Sequence, residues 1–339
     1  VTRSVGIVGI SGYAGIELHR ILETHPMVRV SMVAAGRAAG EALDGSWPGV
    51  DPRGTVYIEE PDPAKLAERC EVVFLALPHG VSAPLVQPLL DAGLTVIDVG
   101  ADFRLKDPAV WQSTYGSAHP APALLEEAVY GLPEQNREAL HGARLVACPG
   151  CYPTAVAVAA LPLIEAGLAD FLIADCLSGV SGAGRKAGSR NLYGEVNDSS
   201  VAYGMGGTHR HVVEMEQLLG VPVSFTPHLV PMTRGMLATV HVRPTGDLPE
   251  GAALMELFER RYAPHPMVQV ARQPPATREV RGTARARVHP VVDAKRGVIT
   301  VTSAIDNLGK GAAAQAVHCM NLALGLPETT GLPVHPFLP

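Results

Sequence analysis

The chain of 339 residues has no run of about 18 or more uncharged apolar residues, the length a helix needs to cross a bilayer, so no membrane span is expected. Nor is there any excess of basic residues. With 27 Lys and Arg against 33 Asp and Glu the formal net charge is -6, which gives no electrostatic footprint for nucleic acid. Cysteine is scarce: Cys70, Cys148, Cys151, Cys176 and Cys319 are odd in number and irregular in spacing. That argues against a disulfide framework and for a reducing compartment, so a cytoplasmic protein is expected. Cys148 and Cys151 form a C-x-x-C, but no second such pair completes a four-ligand zinc site and no metal is expected. A strand reads from the first few residues, so no signal peptide is expected. There is no internal repeat and no low-complexity tract; the 35 Gly and 29 Pro punctuate periodic segments. Nearly half the residues (47%) are apolar and 18% are charged, enough for a real core in one large domain or two ordinary ones.

The chain opens with a β-α-β pattern. Val5 to Ile10 is a short apolar strand, Ile16, Leu18, Ile21 and Leu22 lie at helical spacing, and Val28 to Ala35 reads as a second strand. Between the first strand and the helix stands Gly9-Ile10-Ser11-Gly12-Tyr13-Ala14-Gly15. Glycines at this turn allow a tight bend, close approach to a pyrophosphate and close helix–strand packing. Gly9, Ser11, Gly12, Tyr13, Ala14 and Gly15 are therefore expected to hold a dinucleotide. The second strand ends in Ala34-Ala35-Gly36-Arg37, without the acid that would bind a ribose 2′-hydroxyl. Arg37 suits a 2′-phosphate instead, which points to NADP(H); the alternative is a solvated loop residue.

Further strands at residues 71–77, 95–99 and 144–147 end at Leu77-Pro78-His79-Gly80, at Ala101-Asp102-Phe103-Arg104 and at Cys148. A helical segment at 82–92 separates the first two. Ligands of open parallel sheets bind at such carboxyl ends. Residues 1–150 thus read as a doubly wound, Rossmann-type nucleotide-binding domain, which the C-terminal helix (about 306–339) completes. Residues 151–305 have an α+β texture. Strands are expected at 171–177, 222–226, 236–243 and 298–304, in a mixed or antiparallel sheet. Helices are expected at 154–166, 210–219 and 251–262, with Pro162 kinking the first and Gly167 ending it. Helical spacing returns from Gly311 to Leu324, with Gly325 placed as the stop.

Chemistry concentrates at two points. Cys151 follows the Pro149-Gly150 turn at the mouth of an apolar helix, where the helix dipole lowers a thiol's pKa and favours the nucleophilic thiolate. The other four cysteines read as small core residues. His209 and His211 stand at the entrance of the helix after Thr208. A thiolate, an imidazole and a nicotinamide suffice for attack on an activated acyl group, hydride transfer and proton handling. Arg104 and Arg185 are the best anion clamps, unless each is a surface salt bridge. The glycine-rich loop 178–188 offers main-chain N–H groups. Arg278, Arg281, Arg285 and Arg287 read as a solvated or subunit-interface loop.

Several motifs in order carry a specific resemblance: Gly9 to Gly15, Leu77 to Gly80, Ala101 to Leu105, Tyr130 to Glu134, Pro149-Gly150-Cys151-Tyr152-Pro153-Thr154, Ser178 to Arg185, Thr208 to His211, and Asp306-Asn307-Leu308-Gly309-Lys310-Gly311. From Gly6 almost to the C-terminus the chain resembles the N-acetyl-γ-glutamyl-phosphate reductases, of the aspartate-semialdehyde dehydrogenase superfamily. It departs from their pattern at Gly100, where Ser is expected, and at Gly36, where Ser or Thr is commoner. The resemblance implies an α/β nucleotide domain joined to a catalytic and dimerisation domain of the semialdehyde dehydrogenase type. It implies NADPH-dependent reduction of N-acetyl-γ-glutamyl phosphate through a Cys151 thioester, with release of phosphate. One of His209 and His211 would manage the proton. Leu77, Pro78, His79, Gly182, Asn307, Lys310 and Gly311 would serve the cofactor, and Arg104, Ser181 and Arg185 the substrate. A homodimer or homotetramer is expected on the same ground. The rival readings are a carrier-protein-linked reductase of lysine or arginine biosynthesis, disfavoured by Tyr152-Pro153, and a non-catalytic NADP-binding sensor, which has little use for Cys151 and the paired histidines.

Overall fold

The computed structural model describes residues 2–186, 188 and 192–338. The chain divides into two compact units. The first runs to Pro149 and takes back Ala312–Leu332; the second is Gly150–Gly311 together with the segment from Pro333. The returning stretch is narrower than residues 306–339. Asp306 is bonded to Gly282 and Arg234 of the second unit, and the final segment is bonded there through Ala284 N–H to Pro333 O and Phe337 N–H to Arg281 O.

In the first unit six strands form a parallel sheet: β1 (Arg3–Val8), β2 (Val28–Ala34), β3 (Val72–Leu75), β4 (Thr95–Asp98), β5 (Val129–Tyr130) and β6 (Leu145–Ala147). Their order is β2-β1-β3-β4-β6-β5, so the direction of winding reverses between β1 and β3. At the centre β3 is buried along its whole length and β1 and β4 are buried past their first residues, which is why they read as apolar runs. The helices are α1 (Tyr13–Leu22), α2 (Leu43–Ser46), α3 (Pro63–Arg69), α4 (Ala83–Asp91), α5 (Pro108–Tyr115) and α6 (Pro133–Leu140). Asp62 and Asp107 cap α3 and α5, each accepting a main-chain N–H, with Pro in the first turn that follows.

The second unit opens with α7 (Cys151–Glu165), followed by β7 (Leu172–Ser178), α8 (Tyr193–Val196), β8 (Val201–Ala202), α9 (His211–Leu219), β9 (Val223–Leu229), β10 (Met236–Val242), α10 (Gly251–Tyr262), β11 (Val268–Val270), β12 (Ala286–Asp293) and β13 (Val298–Ile305). Its seven strands form one mixed sheet, β11-β12-β13-β10-β7-β9-β8. Two features depart from the sequence reading. Arg287 lies in a strand, β12, and forms an ion pair with Glu279. Pro290 had disguised that strand, but β11 pairs only as far as Val288; beyond it β12 is an edge, where a proline costs no ladder bond. The second is Pro162, which does not interrupt α7. The carbonyl it would orphan is that of Val158, four residues back, and the Tyr262 hydroxyl donates to it at 2.6 Å. Tyr262→Phe is therefore expected to cost about 1–2 kcal/mol, the penalty of a buried carbonyl left without a donor, read as a lower urea midpoint at unchanged slope.

The last helix, α11 (Ala314–Ala323), follows a π-helical turn at Gly309–Ala313 and is buried from Ala314 to Leu322. It packs against α1, α6 and β4 in the first unit. An all-round buried helix has no polar face, so its polar groups are bonded inward: Gln315 Nε2 donates to Gly131 O and Asn321 Nδ2 to Glu328 O. Gly325 follows with φ +65°.

Candidate active site

Gly9 ends β1 with φ +98°, and a Cβ there would lie 2.2 Å from Ala76 O. Ala76 continues β3, across the reversal of winding, so Gly9 marks the crevice where doubly wound sheets take ligands. Gly15, inside α1, meets Gly9 O at the same 2.2 Å, so helix and strand pack main chain to main chain. Gly12 is the open one: it is the extended N-cap of α1, no side chain caps that helix, no acid lies in its first turn, and only Gly9 O comes within 4 Å of its Cβ position. Such a helix start seats a pyrophosphate. Ser11, Tyr13 and Ala14 complete the turn. Tyr13 lies against Trp47, whose indole N–H donates to Ile10 O. Arg37 is exposed past β2, with no ion-pair partner among the described residues. Leu77, Pro78 and His79 follow β3, where the His79 ring rests 5.1 Å from Tyr115. The buried Asp102 carboxylate secures that loop by accepting Gly80 N–H and Ala83 N–H. The residues present fit a dinucleotide.

Cys151 is the first residue of the fifteen-residue α7, behind the extended Gly150, with neither a side-chain cap nor an acid in the first turn. The positive end of the helix dipole therefore favours an anion at its sulfur. Glu214 on α9, 1% exposed, accepts Gly150 N–H at 2.8 Å. Gly311 backs Cys151, since a Cβ there would come 2.8 Å from Cys151 Cβ. All five thiols are free, and the other four are buried. Burial pushes the Cys70 thiol up to about 11 and raises the Cys176 thiol as well. Cys148 is raised first by its hydrogen bond with Cys319 and then by burial.

The two imidazoles meet over Tyr152, whose ring is 5.5 Å from His209 and 5.8 Å from His211. His209 also touches Phe225 and Tyr203, and the Tyr152 and Tyr203 hydroxyls share a 2.8 Å hydrogen bond. His209 Nδ1 accepts the His211 main-chain N–H at 3.1 Å, which puts the proton of the neutral ring on Nε2. Burial, with the Arg210 charge beside it, pulls His209 down from 6.5 to about 4.

The comparisons with known proteins agree along the chain. Residues 4–143 match the family described as "Semialdehyde dehydrogenase, NAD binding domain", and residues 151–307 match "Semialdehyde dehydrogenase, dimerisation domain". An N-acetyl-gamma-glutamyl-phosphate reductase of Halorhodospira halophila is 51% identical, over 97% of both chains. Another, of Nitrosomonas europaea, is 47% identical over 99% of both. The chain belongs to the N-acetyl-γ-glutamyl-phosphate reductase family. Its fold is that of aspartate semialdehyde dehydrogenase II from Vibrio cholerae, at TM-score 0.72 and 18% identity, with 95% of this chain and 98% of that one covered.

Within this reductase frame the remaining motif residues are more engaged than their positions announced. Arg104 is 8% exposed and donates Nε to Cys148 O and Nη2 to Val99 O. Asn307 Nδ2 donates to Ser181 Oγ, and its Oδ1 accepts Gly235 N–H. Gly182 lies beside that link, 3.6 Å from Asn307 Nδ2 at its Cβ position. Lys310 is fully buried in the π-helical turn. Arg185 is exposed, and Ala187 of the same loop lies outside the described residues. A Cβ at Gly100 would come 2.9 Å from Asp98 Oδ1, on a carboxyl that burial and Asp102 raise to about 7. The sequence reading missed Glu214, though it stands one turn after His211 on the same helix face. It also missed Tyr203 and Phe225, which only the fold brings to His209.

A pH dependence follows from His209. In the folded chain it stays neutral to about pH 4, whereas unfolded it takes up a proton below 6.5. Its contribution is complete above 6.5 and falls away as the pH drops toward 4. Urea midpoints over this window should decline less steeply for His209→Gln than for the parent; parallel curves would refute the shift.

Proposed function

We propose that this enzyme reduces N-acetyl-γ-glutamyl phosphate to N-acetyl-L-glutamate 5-semialdehyde with NADPH, releasing phosphate. The observation that carries the reading is Cys151 at the bare start of a buried helix, followed by Tyr152, over whose ring two imidazoles meet, in a chain of this family. The sulfur of Cys151 attacks the acyl carbon, the carbon–oxygen bond to phosphate breaks, and the acyl group is held as a thioester. The nicotinamide, when bound, supplies the hydride. One of His209 and His211 gives a proton to the carbonyl oxygen and takes it back as the carbon–sulfur bond breaks, which frees the aldehyde and restores the thiolate. Gly150 and Glu214 hold the nucleophile's main chain through this cycle. By their motifs, Arg104, Ser181 and Arg185 are assigned to the anionic groups of the substrate, and Gly182, Asn307, Lys310 and Gly311 to the cofactor.

The glycine turn at residues 9–15 takes the pyrophosphate, with the loop at Leu77, Pro78 and His79 beside it, and Arg37 takes a 2′-phosphate. Oligomerisation uses the sheet face that carries the exposed side chains Ile173, Leu177 and Val291; a second copy covers it in a homodimer or homotetramer. No helix among the described residues is long and apolar enough to cross a membrane, and five free thiols accord with the cytoplasm. The reverse reaction tests the whole reading. With phosphate, the enzyme should oxidise free N-acetylglutamate semialdehyde and leave carrier-linked semialdehydes, using NADP before NAD. Arg37→Ala should raise the KM for NADP by about tenfold or more, the loss of a charge-assisted phosphate contact, with little effect on NAD. Turnover of carrier-linked substrates alone would transfer the assignment to the rival reductase.

A further inference from the structure

A cleft of about 530 Å³ lies in the second unit, between the segment entering β10 and the turn before β12. Arg234, Arg278 and Arg281 line it, with Thr277 between them and Met232 and Phe337 as an apolar wall. Two glycines in the left-handed region shape these walls. At Gly235, φ +122°, a Cβ would lie 2.8 Å from Thr277 Cβ; at Gly282, φ +78°, it would lie 2.3 Å from the Phe337 ring. Both side chains reach the main chain only because those positions are glycine. Phe337 is tied down further by its N–H to Arg281 O, and its own carbonyl accepts Arg281 Nη2 at 2.8 Å.

The acids at the cleft are already answered. Asp306 takes Arg234 and the N–H groups of Gly282, Leu308 and Gly309, and Glu279 pairs with Arg287. Arg278 is exposed and has no ion-pair partner among the described residues. A guanidinium fork recognises a carboxylate through paired N–H···O bonds, and the volume falls in the range of small-molecule sites, roughly 300–1,000 Å³. We propose that this cleft binds a small carboxylate, engaged by Arg278 with Arg281 beside it and with its carbon chain against Met232 and Phe337.

The carboxylate is either the α-carboxylate of the substrate or a free metabolite. Both share the frame of the nucleophile, because Ser181 N–H donates to Thr233 O, and Gly311, which backs Cys151, donates its N–H to Asp306 O. Calorimetric titration of the full chain with glutarate decides the site. The parent should bind saturably, Arg278→Ala should weaken binding by about tenfold or more, and Arg272→Ala, an exposed arginine paired with Glu259, should leave it unchanged. Kinetics decide the source. If the substrate's own carboxylate sits here, Arg278→Ala raises KM for N-acetylglutamate semialdehyde with kcat kept, and leaves KM unmoved for 4-acetamidobutanal, which lacks that group. If a free carboxylate sits here, KM stays put and glutarate alters the rate of the parent but not of Arg278→Ala. Equal glutarate binding by parent and Arg278→Ala, or none by the parent, overturns the proposal. The substrate arm rests on the function proposed above. Should the parent oxidise neither aldehyde, that reading fails while the titration still decides the cleft.

Discussion

Cys151→Ser is expected to lower phosphate-dependent oxidation of N-acetylglutamate semialdehyde by at least about a thousandfold, the scale on which loss of a covalent nucleophile acts. The substitution is nearly isosteric, so Gly311, 2.8 Å away at its Cβ position, and the Gly150–Glu214 bond should be undisturbed and the thermal midpoint unchanged. A hydroxyl at the same helix start stays protonated, and no thioester forms. Retained phosphate-dependent turnover at a tenth of the parent rate or more would exclude the thioester. Cys148→Ser is the contrast. That thiol is buried and bonded to Cys319, so the change should cost stability and leave the chemistry in place.

The second large effect is on stability. Asp306→Ala should destabilise the chain by about 3–5 kcal/mol, the range for removing one partner of a buried ion pair. Asp306 is fully buried, and its two oxygens accept Arg234 Nε and Nη2 together with three main-chain N–H groups. Truncation strands all of these donors at once. Arg234→Met should cost less, because Asp306 keeps the main-chain donors. Urea unfolding of both variants checks the order; an Asp306→Ala chain within about 1 kcal/mol of the parent, the net worth of one ordinary hydrogen bond, would contradict this account. Asp306→Asn, which keeps the shape, should fall between the two.

The first unit was largely legible because its signals are local. Buried parallel strands read as apolar runs, and Gly9, Gly12 and Gly15 sit where strand passes to helix. Cys151 was legible for the same reason: a turn, a thiol and an apolar helix are consecutive. What escaped depends on partners far along the chain. Pro162 reads as an interruption, but the helix continues through it, and a hydroxyl one hundred residues later replaces the missing donor. β12 was hidden by Pro290, which becomes acceptable only once β11 is seen to stop short. Arg104 reads as an anion clamp by its motif, and its bonds to two main-chain carbonyls appear only in three dimensions.

The burial of Cys70, Cys148, Cys176 and Cys319 has a use beyond the core. Only one thiol per chain stands within reach of a reagent while the chain is folded. Alkylation under native conditions is thus a stoichiometric titration: one equivalent consumed counts one competent site, and uptake of the remaining four marks the fraction that has opened. A single reaction then measures both the purity of the catalyst and the integrity of its core.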